Sequence, residues 1–232
     1  MKLCVIPARG GSKRIPRKNI KEFAGKPMIE YSISAALESN LFDDVIVSTD
    51  DAEIADIATG LGASTPFIRP KELSDDYVGT VAVVKHAIEA CKLAGRGADV
   101  CCIYATAPFI RAYSVIDSYN YYSQRDVDYL FSATSYSFPI QRAIKLDKDN
   151  RVTMFNPEHS NTRSQDLEEA YHDAGQFYWA KSEVWLAERA VLTSLNSVAY
   201  LLPRYMVQDI DTLEDWTRAE LMYQVLKNQG EL

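Results

Sequence analysis

The feature that most constrains this chain is a basic, glycine-containing segment close to its N-terminus. A short apolar run over residues 3–6 ends at Pro7, and the segment that follows reads Ala8-Arg9-Gly10-Gly11-Ser12-Lys13-Arg14-Ile15-Pro16-Arg17-Lys18-Asn19. Residues 1–27 carry eight Lys and Arg against one acid, a net charge of +7. Because the whole chain has a net charge of −7, residues 28–232 sum to −14. Positive charge is therefore concentrated at one place in an otherwise acidic chain.

This concentration of positive charge predicts an anion site. Like charges crowded on one surface loop repel each other by about 1–4 kcal/mol per close pair, and a bound polyanion reverses the sign of that interaction. Glycines let backbone N–H groups approach phosphate oxygens, and Arg and Lys neutralise them. The alternative is a basic loop that only faces solvent. The glycines, the preceding strand and the acidic remainder of the chain favour phosphate binding.

The glycine spacing excludes two common nucleotide motifs. Gly10 and Gly11 are adjacent, so the segment is neither G-x-x-x-x-G-K-[ST] nor G-x-G-x-x-G. Without the second of these motifs, the chain does not have the sequence of a dinucleotide-binding dehydrogenase.

Apolar strands alternate with amphipathic helices over residues 1–135, which predicts a parallel sheet with helices on both faces. The expected strands are 2–6, 44–48, 64–68, 99–104 and 128–134, and the expected helices are 27–39, 51–61, 78–94 and 112–123. The basic segment follows the first strand, and ligands of such sheets bind beyond the carboxyl ends of the strands. The pattern thus predicts an α/β fold with its site at that edge.

The alternation of strands and helices ends at about residue 135. Strand-like pieces at 138–146 and 151–155 predict a small antiparallel excursion over about 136–170, plausible as a dimerisation arm. A strand at 204–208 and a helix at 212–228 are expected to close the chain. A length of 232 residues fits a single domain, 1–232, with this excursion.

Composition excludes several classes of partner. The acidic balance argues against nucleic-acid binding and against binding to anionic membranes. No apolar run approaches the roughly 18 residues of a transmembrane helix, and the N-terminus reaches Pro7 too soon for a signal peptide. The four cysteines have no C-x-x-C spacing, which indicates buried, reduced thiols in a cytoplasmic protein.

A pair of aspartates near the C-terminus is the expected metal site. Asp209 and Asp211 are separated by one residue, so in an extended segment both carboxylates point to one side. Mg²⁺ prefers one or two carboxylates and completes its shell with water and phosphate oxygens. The alternative is helix capping by Asp211 or Thr212, completed by Glu214 or Asp215. Capping accounts for at most one acid, and it leaves Asp209 unexplained.

The motifs taken together resemble the CMP-sialic acid synthetase family of cytidylyltransferases, and in particular its pseudaminic acid branch. The resemblance spans nearly the whole chain and rests on the segments P-A-R-G-G-S-K-R-I-P-R-K-N, G-K-P-M-I, S-T-D-D, R-S-Q-D-L, A-Y-H-D-A-G-Q-F-Y-W and Q-D-I-D-T-x-E-D-W. It implies that CTP and a nonulosonic acid react to give a CMP-sugar and pyrophosphate in the presence of Mg²⁺. It also implies a Rossmann-like fold and a homodimer in which the arm of one subunit reaches the site of the other.

The resemblance also implies roles for individual residues. The segment from Ala8 to Ser12, with Arg9, Lys13, Lys18 and Asn19, is expected to bind the triphosphate, and Arg69 and Thr80 the cytosine and ribose. Asp209 and Asp211 are expected to hold Mg²⁺ and to take part in catalysis together with Arg9, Lys13 and Lys18. The sugar-facing residues implied are Tyr104, Thr106, Arg163, Gln165, Tyr171 and His172.

One departure from the family concerns the sugar. Sialic acid synthetases carry a glutamine in a motif resembling Q-P-T-S-P, where this chain has Tyr104-Ala105-Thr106-Ala107-Pro108. The missing glutamine favours a less hydroxylated nonulosonic acid, with pseudaminic acid as the expected substrate. The alternatives are a cytidylyltransferase for legionaminic or sialic acid and, outside enzymes, a nucleotide-binding sensor.

Overall fold

A computed structural model describes residues 1–231, and a six-stranded sheet forms its centre. The strands are β1 (Lys2–Pro7), β2 (Glu22–Phe23), β3 (Lys26–Pro27), β4 (Asp44–Ser48), β5 (Asp99–Ile103), β6 (Tyr129–Ser135), β7 (Ile144–Leu146), β8 (Val152–Met154), β9 (Tyr171–Lys181) and β10 (Ser197–Leu201). The helices are α1 (Met28–Glu38), α2 (Ala52–Gly60), α3 (Thr80–Ala90), α4 (Ala112–Ser123), α5 (Ser182–Leu186) and α6 (Leu213–Asn228).

The central sheet has the order β10-β6-β9-β5-β1-β4. β1 runs parallel to β4 and β5, and β10 runs parallel to β6. β9 lies antiparallel between β5 and β6. The expectation of a mostly parallel α/β sheet is confirmed, with one antiparallel strand contributed by the segment after the excursion.

Helices cover both faces of this sheet, and each face has its own apolar cluster. On one face α1, α2 and α4 pack against residues such as Cys4, Ile6 and Trp179. On the other face α3 and α5 pack against residues such as Val5 and Val100. Successive residues of β1 thus point to opposite faces and are buried on both, which explains the continuous apolar run near the N-terminus.

Two of the expected strands are not strands in the structure. Residues 64–68 form only an isolated bridge between Ser64 and Ile46, because Pro66 has no backbone N–H with which to continue the ladder. Residues 204–206 form a 3₁₀ turn after Pro203. The strand in that region is β10, which pairs with β6 at the sheet edge and was not expected from the sequence.

The excursion contains less regular secondary structure than the sequence indicates. Only β7 and β8 pair, as a separate antiparallel hairpin, and a 3₁₀ turn over Ile140–Arg142 precedes them. Pro139 directly precedes that turn, and its missing N–H is incompatible with a strand running through 138–146. We call residues 136–170 the arm.

A third apolar cluster joins the two ends of the chain. It contains Ile15 of the basic segment, Ile210 between the two aspartates and Trp216 of α6, all at most 5% exposed. Burying an apolar side chain of this size stabilises the fold by about 1.5–3 kcal/mol. The cluster therefore holds the basic segment against residues 209–211, although they are far apart in sequence.

The cysteines are free thiols in the described part of the chain. Cys4, Cys101 and Cys102 are buried, and burial raises the pKa of each of these thiols. Cys91 is partly exposed, so the expectation of four buried thiols is wrong at that position. Within residues 1–231, no helix combines the length and the apolar character needed to cross a bilayer.

Candidate active site

Three loops meet at the carboxyl ends of β1, β4 and β5. The basic segment leaves β1 at Pro7, whose register partner on β4 is Ser48. Asp50 and Asp51 follow β4, and Tyr104 follows β5. Because these three strands are parallel neighbours, the polar residues after them collect at one edge of the sheet.

The basic segment contacts the aspartate pair directly. The Lys18 ammonium donates to the carbonyl oxygen of Ile210 at 2.6 Å and lies 3.5 Å from the Asp211 carboxylate. The Arg14 guanidinium donates to Asp211 at 2.9 Å. Arg14 and Lys18, near the N-terminus, therefore contact Asp211, near the C-terminus.

Asp211 is free for these contacts because another residue caps α6. The Thr212 hydroxyl accepts from the backbone N–H of Asp215, and the Asp215 carboxylate accepts from the backbone N–H of Thr212, which forms a capping box. The alternative prediction of a capping box is thus confirmed for Thr212 and Asp215. Capping accounts for neither Asp209 nor Asp211.

A carboxylate already lies on the basic segment. Asp76, in the loop before α3, forms ion pairs with Arg9 at 2.5 Å and with Lys13. These two cations hold the pKa of the Asp76 carboxyl below its usual range. The segment therefore binds an anionic oxygen group of its own chain, and a polyphosphate would compete with Asp76 for the same cations.

A cavity of about 560 Å³ opens between the basic segment, the 69–80 loop and Tyr104. It is lined by ten of the predicted site residues, namely Arg9, Ser12, Lys13, Lys18, Asn19, Arg69, Thr80, Tyr104, Thr106 and Asp211. Arg69 is 3% exposed, its guanidinium lies 3.8 Å from Asp50, and burial lowers its pKa. We call this space the first cavity.

A second cavity of about 640 Å³ lies beside the first and shares Tyr104 with it. Asp209 and His172 line it, together with Gln208 and Asp173. Asp211 lines the first cavity and Asp209 the second, so the two carboxylates line neighbouring spaces.

Tyr104 is held firmly between the two cavities. Its hydroxyl is 2.9 Å from the Thr80 hydroxyl, and its ring centroid is 5.1 Å from that of Tyr178. The Tyr178 hydroxyl in turn donates to the Asp173 carboxylate at 2.8–2.9 Å. Burial of Tyr104 raises the pKa of its phenol, which therefore stays protonated and can donate a hydrogen bond.

The carboxylate of Asp209 is in an unfavourable environment. Its side chain is open to solvent on one side, but the surrounding protein desolvates it enough to raise its pKa, and the negative charge of Asp211 raises the pKa further. A cation between the two acids would relieve both effects. Within residues 1–231 no cluster of three or more His, Cys, Asp or Glu side chains forms a metal site. The pair fits an ion such as Mg²⁺, which takes its remaining ligands from phosphate and water.

Six predicted site residues line neither cavity. Ala8 is buried, and neither Gly10 nor Gly11 lines a cavity. Arg163, Gln165 and Tyr171 are exposed in or next to the arm; Arg163 pairs with Asp166 at 2.7 Å, and the Tyr171 hydroxyl donates to Glu169. Within one chain, these last three residues do not meet the other sugar-facing residues.

Gly10 is required for a different reason than phosphate binding. Its backbone N–H donates to Asp50 at 3.0 Å, so this group is already paired within the protein. A Cβ atom at Gly10 would lie 2.6 Å from the carboxylate of Asp51, which caps α2 and pairs with Arg17. The glycine thus permits close packing of the basic segment onto the N-terminus of α2.

The two glycines therefore provide a matched test. We expect Gly10→Ala to lower stability by about 1–3 kcal/mol, because the added methyl group overlaps the Asp51 carboxylate. At Gly11 a Cβ atom would meet nothing within 4 Å, so Gly11→Ala should unfold at nearly the wild-type temperature. Thermal unfolding of both variants measures this difference, and equal melting temperatures would contradict the close packing at Gly10.

Comparison with known proteins shows the family of this chain. The family profile described as cytidylyltransferase matches residues 3–220. This chain belongs to the cytidylyltransferase family. The basic segment and the aspartate pair both lie inside the matched range.

Relatives of this cytidylyltransferase include a pseudaminic acid cytidylyltransferase of Campylobacter jejuni, which is 50% identical over 96% of each chain. An N-acylneuraminate cytidylyltransferase of Streptococcus agalactiae is 31% identical over 92% of this chain and 51% of its own. The solved structure of CMP:2-keto-3-deoxy-manno-octonic acid synthetase complexed with CTP superposes with a TM-score of 0.71, covering 97% of this chain and 99% of that one. Its sequence is 17% identical, so this likeness shows the fold.

Several lining residues of the cytidylyltransferase were not expected from its sequence. Asp76 lies in the loop before α3 and Asp173 lies in β9, and no spacing pattern marks either acid as a site residue. Arg204 and Arg218 line the second cavity from either side of the aspartate pair. Neither arginine belongs to a motif: Arg204 falls in the strand wrongly expected at 204–208, and Arg218 falls in the helix expected at 212–228.

Proposed function

We propose that this chain activates pseudaminic acid with CTP, giving the CMP-sugar and pyrophosphate. The observation that carries the proposal is the pair of adjacent cavities, one basic and one with Asp209, that share Tyr104. The 50% identity to a protein named pseudaminic acid cytidylyltransferase supports the choice of sugar. We further propose a cytoplasmic location, for which the free cysteines are the support.

In the proposed reaction the triphosphate occupies the first cavity and the sugar acid the second. Arg9, Lys13 and Lys18 bind the phosphates, which displaces Asp76 from the first two of these cations. The anomeric hydroxyl oxygen attacks the α-phosphorus in line, a new P–O bond forms, and the bond to the β-phosphate breaks as pyrophosphate leaves. The hydroxyl proton passes to a phosphate oxygen of the substrate or to solvent.

Rate enhancement would come from positioning and from charge stabilisation by the basic segment. Asp209 and Asp211 would hold Mg²⁺, which when bound neutralises phosphate charge. The Lys18 ammonium fixes residues 209–211 relative to the basic segment, and the protonated Tyr104 phenol separates the two substrates.

A panel of sugar acids tests this function. With CTP and Mg²⁺, we expect pyrophosphate release to be fastest with pseudaminic acid, slower with legionaminic and sialic acids, and absent without sugar or with excess chelator. Faster turnover of sialic or legionaminic acid would instead support the alternative substrates. Tight CTP binding without pyrophosphate release under any of these conditions would support a nucleotide sensor.

We also propose that the chain forms a homodimer through its arm. Six apolar side chains of the arm are at least 45% exposed: Phe138, Ile140, Ile144, Leu146, Val152 and Phe155. A second copy would cover this surface. It would also bring Arg163, Gln165 and Tyr171 towards a partner's sugar site, which explains why they line no cavity of their own chain.

Charge reversal in the hairpin tests the dimer. Leu146 and Val152 are directly opposite each other on β7 and β8, and both are more than half exposed. We expect the wild type to have twice the 26.1 kDa chain mass by light scattering, and the double variant Leu146→Glu/Val152→Glu to be monomeric. Lys148→Glu, in the turn of the same hairpin, should remain dimeric. A monomeric wild type would overturn the proposal.

A further inference from the structure

The second cavity contains two arginines without partners. Arg204 and Arg218 are the only Lys or Arg residues that line it within the described chain. Both are exposed, and neither guanidinium has a hydrogen bond or an ion pair with another described residue. Arg96 and Arg151 also have no side-chain partner among the described residues, but they do not line this cavity. The arginines that pair with acids of the same chain are Arg9, Arg14, Arg17, Arg69, Arg111, Arg163 and Arg189.

Neither acid that lines this cavity pairs with Arg204 or Arg218. The Asp173 carboxylate accepts from the Tyr178 hydroxyl and from the backbone N–H of Gly175 at 2.8–2.9 Å. Asp209 is one of the two proposed Mg²⁺ ligands. The positive charge of Arg204 and Arg218 is thus left for a group that enters from outside.

We propose that Arg204 and Arg218 bind the carboxylate of the sugar acid and thereby position its attacking hydroxyl. This inference rests on the proposed function. A guanidinium binds a carboxylate with two parallel hydrogen bonds, which fixes orientation as well as charge. Both arginines are close in sequence to Asp209, one on each side, and both share its cavity.

The chemistry of the substrate explains why this contact matters for the reaction. In a nonulosonic acid the carboxylate is attached to the anomeric carbon, which also carries the hydroxyl that attacks CTP. Holding the carboxylate at residues 204 and 218 therefore places that hydroxyl one carbon away, beside Asp209 and next to the cavity that receives the triphosphate. Positioning of this kind lowers the barrier by reducing the motion left to the reacting groups.

Arg163 is the other candidate for the same carboxylate. In this chain it forms two hydrogen bonds to the Asp166 carboxylate, at 2.7 and 3.2 Å, and it lies outside both cavities. Even if the proposed dimer brings the arm to a partner's site, binding the sugar through Arg163 would require its pair with Asp166 to break. Arg204 and Arg218 have no such pair to break.

Kinetics with two matched substrates tests the inference. The substrates are the sugar acid with the highest turnover in the wild-type panel and its neutral C1-amide. We expect Arg204→Gln and Arg218→Gln each to raise KM for the acid by about 10- to 100-fold, the range for losing a charged hydrogen bond. KM for the amide and the Kd for CTP should stay within about twofold, so discrimination between acid and amide falls.

Three controls keep the outcomes separate. Arg96→Gln removes an exposed arginine from the loop before β5, at the opposite edge of the sheet, and should leave all constants unchanged. Arg218→Lys keeps the charge without the paired donors and should lie between the wild type and Arg218→Gln. The inference would be overturned if Arg204→Gln and Arg218→Gln both discriminate between acid and amide as the wild type does. It would also be overturned if only Arg163→Gln loses this discrimination. If the wild type turns over no sugar acid, the proposed function itself fails.

Discussion

Asp209→Asn should reduce CMP-sugar formation about a hundredfold or more, because it removes one of two carboxylates proposed to hold Mg²⁺ beside the transferred phosphate. Steady-state pyrophosphate release at saturating CTP and sugar measures this loss. The variant should also need more Mg²⁺ for half-maximal activity than the wild type. Full turnover by Asp209→Asn would end the metal assignment.

The same variant should fold at least as well as the wild type. The pKa of Asp209 is raised in the folded protein, chiefly by desolvation and next by Asp211. An acid whose pKa is higher in the folded than in the unfolded state destabilises the fold once it is ionised, at neutral pH. Removing that charge therefore should not lower the melting temperature. Glu214→Gln, at an exposed position in the first turn of α6, is the matched control and should keep full activity.

Lys18→Met should lower kcat/KM for CTP about 10²- to 10³-fold, the range seen when one charge-stabilising donor is removed from an active site. The Lys18 ammonium has two functions in the structure. It contributes positive charge to the first cavity, and its hydrogen bond of 2.6 Å to the Ile210 carbonyl fixes the aspartate pair. Its side chain is 19% exposed, so water does not readily replace either contact.

Two further measurements separate these functions of Lys18. Calorimetric titration with CTP in the absence of sugar reports the lost phosphate contact, and the melting temperature reports the lost contact to Ile210. Both should fall in Lys18→Met. Lys227→Met changes an exposed lysine near the end of α6 and should alter neither. Unchanged CTP affinity in Lys18→Met would contradict the assignment of this residue to the triphosphate.

Local sequence patterns predict most of the sheet and one side of the site. β1, β4, β5 and β6 lie within one residue of their expected bounds, because a strand buried on both faces must be a continuous apolar run. The basic segment was found for a similar reason, since its charge contrasts with the rest of the chain. Edge strand β10 was missed because its residues alternate weakly between half-buried and exposed positions.

Residues whose role depends on distant neighbours could not be found in this way. Asp76 belongs to the site because it forms ion pairs with Arg9 and Lys13. Tyr104 belongs to it because it lies between the two cavities. Arg204 and Arg218 carry no motif at all, and their lack of partners is visible only in three dimensions. Nothing in the local pattern distinguishes them from other surface arginines.

The sequence alone determined the fold class, the candidate phosphate-binding segment and the candidate metal ligands, since each depends on periodicity, charge or spacing within a short stretch. Tertiary structure decided how these parts combine. Ile15 and Ile210 are buried in one apolar cluster, and this packing brings a segment near the N-terminus against acids near the C-terminus. The physical reason is that the hydrophobic effect does not depend on separation in sequence. Apolar residues pack wherever the fold excludes water, and the polar residues next to them in the chain are thereby brought together.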